Sequence, residues 1–426
     1  MTRAAPVTWP RRLLAGIGDS DDLYGGHLET WGPLPAASAL PPAAVIDAVE
    51  KSGLLGRGGA GFPAGRKMRT VAAAANRRPV VVANGAEGEP ASGKDVLLLS
   101  RAPHLVLDGV QLAARAVGAD EAHVAVHRGS PAAGVVRAAL VRRGSSDAVP
   151  VQLHEVPSRY VASEETALVH YLNGGEARPT FSPPRPFEQG VGRRPTLVNN
   201  VETLAHVAAI ARHGDEWFRE VGDRDEPGTL LVSISADGLA RRVAEVPTGT
   251  TIGAVADRAR VARDSAGAVL VGGYFGSWLP AAYAWQLPLT HRAMRSAGAA
   301  LGAGVVAVLP ASSCGIAETA RVMAYLAAHN AGQCGPCLNG LPAIATALSR
   351  LASGGWDERW WPALERWLAV VPGRGACRHP DGAVRFASTA LSVFAEDVAR
   401  HRSGRPCAAA AGPAWLPTPR PAEGWR

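Results

Sequence analysis

The chain has 426 residues, more than one ordinary domain holds, and 47% of them are hydrophobic against 19% charged, which excludes an intrinsically disordered polymer. No apolar run reaches the roughly 18 residues of a spanning helix, because Val269 to Ala282 is broken by Gly272, Gly273, Gly276 and Pro280. Net charge is +7, but no Lys/Arg block accompanies it and there are only seven Phe and six Tyr, which argues against nucleic acid as a partner. At the N-terminus Leu13 to Ile17 is too short for the apolar core of a signal peptide, so a cytoplasmic location is expected. Five cysteines are too few for a disulfide scaffold; in that setting close spacings read as metal or redox sites.

In chain order, residues 1–40 carry Pro and Gly with little periodicity and read as an N-terminal extension. Pro41 to Ser52 places Val45, Ile46 and Val49 at helical spacing. Gly53 to Pro63 follows with five glycines in nine positions and a G-x-G-x-x-G at Gly56, Gly58 and Gly61. An ordinary dinucleotide fingerprint would follow a strand, and here a helix precedes it. Bare glycine backbone nonetheless lets amides approach a phosphate, with Arg57 and Lys67 adding charge. Lys67 is one of only three lysines, with Lys51 and Lys94, among 44 basic residues.

Pro79 to Ala83 reads as a buried strand ending in Asn84-Gly-Ala-Glu87-Gly-Glu89, followed by the pair Lys94-Asp95. Ligands of α/β sheets sit beyond the carboxyl ends of strands, where this loop falls. Two carboxylates would repel a phosphate, so Glu87 and Glu89 are read as acceptors for ribityl, ribose or amide groups, a solvated turn being the plain alternative. His123 to His127 and Pro150 to Leu153 continue the alternation of strands and helices to about residue 225. Ser163 reads as a helix cap with Glu164 and Glu165 in the first turn, and Asn199 and Asn200 as caps of Val201 to His213. Phe181 to Pro186 is a Pro-rich loop.

Asp223 to Gly228 reads as a linker into a sheet-rich module in which Leu230, Val232 and Ile234 alternate and Asp237-Gly238 turns the chain toward Val243 to Val246. After Pro310 the pattern becomes helical: Met323 and Leu326, then Ile344, Leu348 and Leu351, then Val384, Ala387, Leu391, Phe394 and Val398. The Ala- and Pro-rich tail from Gly404 is expected to be disordered.

Taken together, GLLGRGGAGFPAGRKM, NGAEGEPASGKD, RYVASEETAL, RPTLVNNVETLAHV and AGQCGPCLNGLPAI resemble, in order, the motifs of the flavoprotein subunit of respiratory complex I and its diaphorase relatives. That family includes subunits of NAD-linked hydrogenases and formate dehydrogenases. The resemblance implies an α/β fold with a Rossmann-like FMN/NADH domain (41–225), a small β-grasp domain of the soluble-ligand-binding type with its connection (228–310), and a helical iron–sulfur bundle (311–403) before the tail (404–426). It implies FMN and NAD(H) as cofactors, with NADH hydride passing to FMN and single electrons to an iron–sulfur cluster.

Carried over by resemblance, Gly56, Arg57, Gly58, Gly59, Ala60, Gly61, Phe62 and Lys67 form the flavin-phosphate and NADH loop. Asn84, Glu87, Glu89, Tyr160, Glu164, Glu165, Thr166, Asn199 and Asn200 fall at the flavin and nicotinamide, with Glu89 and Glu165 orienting the nicotinamide. The chain departs from the pattern at Ala86, where aspartate is usual, and at Ser163, where glycine is usual. Near the adenosine it has Thr70, Ser182 and Arg185, a thinner stacking surface than the relatives offer.

Cys334-Gly-Pro-Cys337 and Cys377 form a redox or metal signal that spacing alone does not separate from zinc. The family pattern makes it a 4Fe–4S cluster, but Ala331 stands at the first of its cysteines. The fourth site then falls to His329, Asn330, water or Cys314, or the cluster is 3Fe–4S or absent. Cys314 is disfavoured as lying about ten helical residues, some 15 Å, away, and Cys407 carries no assignment. A ferredoxin or a membrane-bound reductase is the expected outlet, and membership of a larger complex is open. An FMN subunit serving ferredoxin without NADH, and a scaffold that has lost its cofactors, are the rival readings.

Overall fold

The computed structural model describes residues 9, 11–17, 22–36, 38–74, 77–236, 239–420 and 424–426. Strands Val80–Asn84 (β1), Glu121–His127 (β2), Val151–Val156 (β3) and Thr196–Asn200 (β4) form a parallel sheet in the order β3-β2-β1-β4. β1 is apolar without alternation because both its faces are covered: Val81 and Ala83 enter one core, Val80 and Val82 another. Helices Pro103–Val117 and Val201–Arg219 pack together where Gly109 leaves room, since a Cβ there would lie 1.9 Å from Leu204 O. With β2 on one side of β1 and β4 on the other, the connections diverge, and a crevice opens beyond the ends of β1 and β4. Asn84 is in register with Asn200 and Ala83 with Asn199, so three asparagines meet at its mouth.

Strands Thr229–Ala236 (β5), Leu239–Pro247 (β6), Ala266–Val271 (β7), Ser277–Pro280 (β8) and Val305–Pro310 (β9) form a second sheet, ordered β6-β5-β9-β7-β8. Only the β5–β9 pairing is parallel. The Asp237-Gly238 turn lies outside the described residues. Helices Gly315–Ala328, Leu341–Ser353, Trp360–Val370, His379–Val393 and Ala395–Arg402 follow, with Met323, Leu326, Ile344, Leu348, Leu351, Val384, Ala387 and Val398 in a shared core. The periodicity through Val398 is carried by two helices, because Phe394 leaves helical geometry at φ −101°, ψ 34°. No helix among the described residues is long and apolar enough to cross a membrane.

Both chain ends differ from expectation. Within the irregular-looking first forty residues, Leu23–Trp31 is a helix, and the buried Glu245 carboxylate accepts the N–H groups of Arg12, Leu13 and Leu14 at 2.9, 2.9 and 3.0 Å. The tail, expected to be disordered, lies along the helical bundle. Its anchors are local: Leu416 is buried, and Glu318 accepts the Trp415 and Leu416 amides at 3.1 and 3.0 Å. Beyond them, Tyr274 Oη donates to Pro417 O at 2.6 Å, and Trp425 stacks under Arg159 and Arg178. Composition signalled disorder, but two tryptophans and a leucine supply the apolar area that ordering requires.

Candidate functional site

A cavity of about 560 Å³, the size of a cofactor site, opens at the crevice beyond β1 and β4. Its first wall is the glycine loop. The loop is pinched shut by Gly56 N–H donating to Phe62 O at 2.8 Å and Ala64 N–H to Leu54 O at 2.9 Å, and it lies between helices Pro42–Ser52 and Ala64–Ala73. Gly59 and Gly61 hold φ of +106° and +64°, which favour glycine, and a Cβ on Gly61 would meet the His291 ring at 2.5 Å. Gly56, Arg57, Gly58, Gly59, Ala60, Gly61, Phe62 and Lys67 all line the cavity.

The two cations of this loop are already engaged. Arg57 is buried, with its guanidinium on Thr229 O at 2.9 Å and Leu55 O at 3.2 Å, while its amide donates to Thr203 Oγ1 at 2.8 Å. Lys67 Nζ donates to Glu165 Oε1 at 2.8 Å and to Val198 O at 2.6 Å. Lys67 therefore ties Glu165 to strand β4, and the bared backbone is the remaining anion-binding feature of the loop.

The second wall is the loop after β1. Glu87 accepts the amides of Asp95 and Val96, in the first turn of helix Lys94–Arg101, at 3.2 and 3.3 Å, and also the Ser92 hydroxyl; burial, then the neighbouring Asp95, raises its pKa. Glu89 accepts from Tyr274 N at 2.7 Å, Ala91 N at 3.1 Å and Tyr160 Oη at 3.0 Å. Burial pushes the Glu89 carboxyl up to about 7 despite these donors. Gly88 between them passes so close to the next wall that a Cβ would lie 2.6 Å from both Ser163 Oγ and Tyr160 O. Ala86 offers only a methyl to the cavity.

The third wall holds Tyr160, Glu164 and Glu165. The helix cap is Glu164, not Ser163: its carboxylate accepts Thr166 N–H at 2.9 Å and Ala167 N–H at 3.1 Å, while Ser163 Oγ donates back to Tyr160 O. Of the residues expected at the flavin and nicotinamide, Thr166 is the one absent from the cavity lining, its hydroxyl donating to Glu164 and meeting Thr180; Thr70, Ser182 and Arg185, expected near the adenosine, do not line it either. At the floor, Asn84 Nδ2 donates to Ser163 O at 2.8 Å, and Asn200 donates to Asp95 at 2.8 Å while capping helix Val201–Arg219. Asn199 is different: its Nδ2 is buried with no partner among the described residues. An unsatisfied donor at a cavity wall is what a bound carbonyl-bearing ligand would complete, and the cradle of glycines beside it leaves room for a flat ring.

The sequence assigns no site role to several lining residues, Lys94 among them although its rarity and its pairing with Asp95 stand out. Buried Lys94 lies 2.7 Å from Asp95 Oδ1 and 2.9 Å from Glu202 Oε2, fixing the asparagine end of the floor. Phe275 offers an aromatic face, edge-on to Tyr160 with centroids 4.8 Å apart. The available signal was the pair Gly272-Gly273 ending β7 at φ +90° and +86°. Arg378, His379 and Arg385 line the opposite side.

Cys377 also lines the cavity, and its thiol, pushed up to about 11 chiefly by burial, feels Glu164 and Cys334. Cys337, buried on the irregular turn Pro336–Gly340, feels both Cys334 and Cys377. The three predicted cysteines thus lie near enough to influence one another, and three thiols are donors of the kind an iron–sulfur cluster takes. The side chains weighed for the fourth are engaged elsewhere. His329 accepts from Tyr160 N at 3.3 Å and meets Pro419 O at 3.2 Å; Asn330 bonds Gly332 N, Ala327 O and Cys337 O. Cys314 meets His401.

Comparison with known proteins shows the family. The family described as the Nuo51 FMN-binding domain matches residues 49–209, and the NADH-ubiquinone oxidoreductase-F iron-sulfur binding region matches residues 317–401. The chain is 30% identical over 387 residues to the second NADH-quinone oxidoreductase F subunit of Rhizobium meliloti (strain 1021), covering 86% of this chain and 90% of that protein. It is 30% identical over 441 residues to the NADH-quinone oxidoreductase F subunit of Streptomyces coelicolor, covering 96% of each. A crystal structure of an NAD+-reducing NiFe-hydrogenase in the H2-reduced state superposes with a TM-score of 0.81 at 31% identity, covering 91% of this chain and 67% of that one. The chain therefore belongs to the family of complex I flavoprotein subunits, as an NADH dehydrogenase-type oxidoreductase whose cofactors are FMN, NAD(H) and a 4Fe–4S cluster.

Proposed function

We propose that the glycine loop 56–61 receives the FMN phosphate on its backbone amides, with the ring system against Asn84, Asn199 and Asn200. The observation that carries this reading is that the loop, the unsatisfied Asn199 donor and Cys377 line one cavity, so nucleotide entry and cluster share a wall. FMN, when bound, supplies the conversion of a two-electron hydride into single electrons. The chain's own residues position and shield. Glu165, held by Lys67, and Glu89, held by Tyr160 and Tyr274, fix the nicotinamide amide and ribose. Phe275 provides apolar cover beside Tyr160. Through their thiolates, Cys334, Cys337 and Cys377 would hold the iron–sulfur cluster, which would carry the electrons onward singly.

The outlet is a protein acceptor, a ferredoxin or a membrane-bound reductase, reached within a larger assembly on the cytoplasmic side. Purification with FMN and iron assays, followed by anaerobic NADH titration, tests the scheme. Flavin that bleaches, with iron lost in Cys334→Ser and Cys377→Ser, is the expected result; flavin that stays oxidised under excess NADH would overturn it.

A further inference from the structure

Away from the cavity, a second set of soft ligands converges. Cys314 is the N-cap of helix Gly315–Ala328, His401 lies in the last turn of helix Ala395–Arg402, and Cys407 begins the tail segment. One ligand atom from each lies within 4.8 Å of the others. Cys314 Sγ is 3.6 Å from His401 Nε2. For tetrahedral zinc, with Zn–S of about 2.3 Å and Zn–N of about 2.0–2.1 Å, the edge between sulfur and nitrogen is also about 3.6 Å.

The imidazole is already set for the task. His401 is fully buried, and its Nδ1 meets Leu351 O at 3.0 Å, which places the proton on Nδ1 and leaves the Nε2 lone pair toward the sulfurs. Cys407 N–H approaches that lone pair at 3.3 Å, a bond an entering ion replaces. Cys314 Sγ accepts Ala317 N–H at 3.4 Å, which offsets only part of the burial that pushes this thiol up, so its deprotonation falls to the entering ion.

We propose that Cys314, His401 and Cys407 bind one zinc ion. Zn2+ displaces two thiol protons to solvent and forms two Zn–S bonds and one Zn–N bond. The resulting site is electrically neutral, as a buried location requires. Cys407, only part-buried, leaves a side on which water completes the tetrahedron. The ion would join two helices of the bundle to the tail that runs on through Trp415 and Leu416.

The test is metal, iron and FMN analysis of the full chain purified anaerobically from zinc-supplemented cells. About one zinc per chain is expected, falling at least tenfold in Cys407→Ser and His401→Gln with iron and FMN unchanged, and persisting in Cys334→Ser. Cobalt should give thiolate charge-transfer absorption in the parent and not in Cys407→Ser. Zinc retained by Cys407→Ser, zinc lost with Cys334→Ser, no zinc at all, or a Cys314–Cys407 disulfide in its place would overturn the assignment. FMN content reports whether each variant has folded.

Discussion

At Glu89 three donors converge on a carboxylate that burial nonetheless raises to about 7. With the folded value above the ordinary 4.5, its contribution to stability is full below about 4.5 and is lost as pH climbs through 7. Glu89→Gln should erase that slope in urea midpoints measured from pH 4 to pH 8. It should also lower kcat/KM for NADH about tenfold, the cost of about one hydrogen bond, while FMN stays bound. At Asn199 the donor without a partner among the described residues predicts the reverse pattern. Asn199→Ala should weaken FMN by roughly five- to thirtyfold in fluorescence titration, with little change in stability. The polar and glycine positions of this site were legible because they sit at element ends, where strands and helices hand the chain to loops. The partners of Arg57 and Lys67 were not, since Thr229 and Val198 lie far along the sequence and only folding brings them near.

Among the elements, β1 and the helix before the glycine loop could be read from hydrophobic spacing, because burial on both faces or on one stripe imposes it. What spacing could not show was where two elements touch backbone to backbone. Gly109 is such a point: its missing Cβ lets one helix rest on the Leu204 carbonyl of another. Gly109→Ala should cost about 1–3 kcal/mol, seen as a lower urea midpoint, by forcing that pair apart. The break at Phe394 was hidden for a related reason, since the apolar rhythm continues across it while the backbone does not.

For the whole molecule, the N-terminal segment is tied in through Asp108. Its buried carboxylate meets His27 at 2.9 Å, Arg143 at 2.8 Å and Arg212. Burial would raise this carboxyl, but His27, Arg143 and Arg212 outweigh it and hold it below the ordinary value of 3.8. The stability it contributes is therefore present above about pH 4 and lost as pH falls further. Asp108→Asn leaves the buried Arg212 guanidinium without its counter-charge, while Arg143 keeps Asp147 at 2.6 Å, and should lower unfolding free energy by about 3–5 kcal/mol in urea melts at pH 7. Such a network is opaque to sequence, its members being spread from residue 27 to residue 212. The tail has a comparable reach through one tyrosine, whose amide grips Glu89 and whose hydroxyl grips Pro417. Tyr274 thus joins the last residues on one side to the Glu89 carboxylate on the other. A protease that nicks the C-terminus would accordingly announce itself first as a changed appetite for reductant, well before the domains themselves came apart.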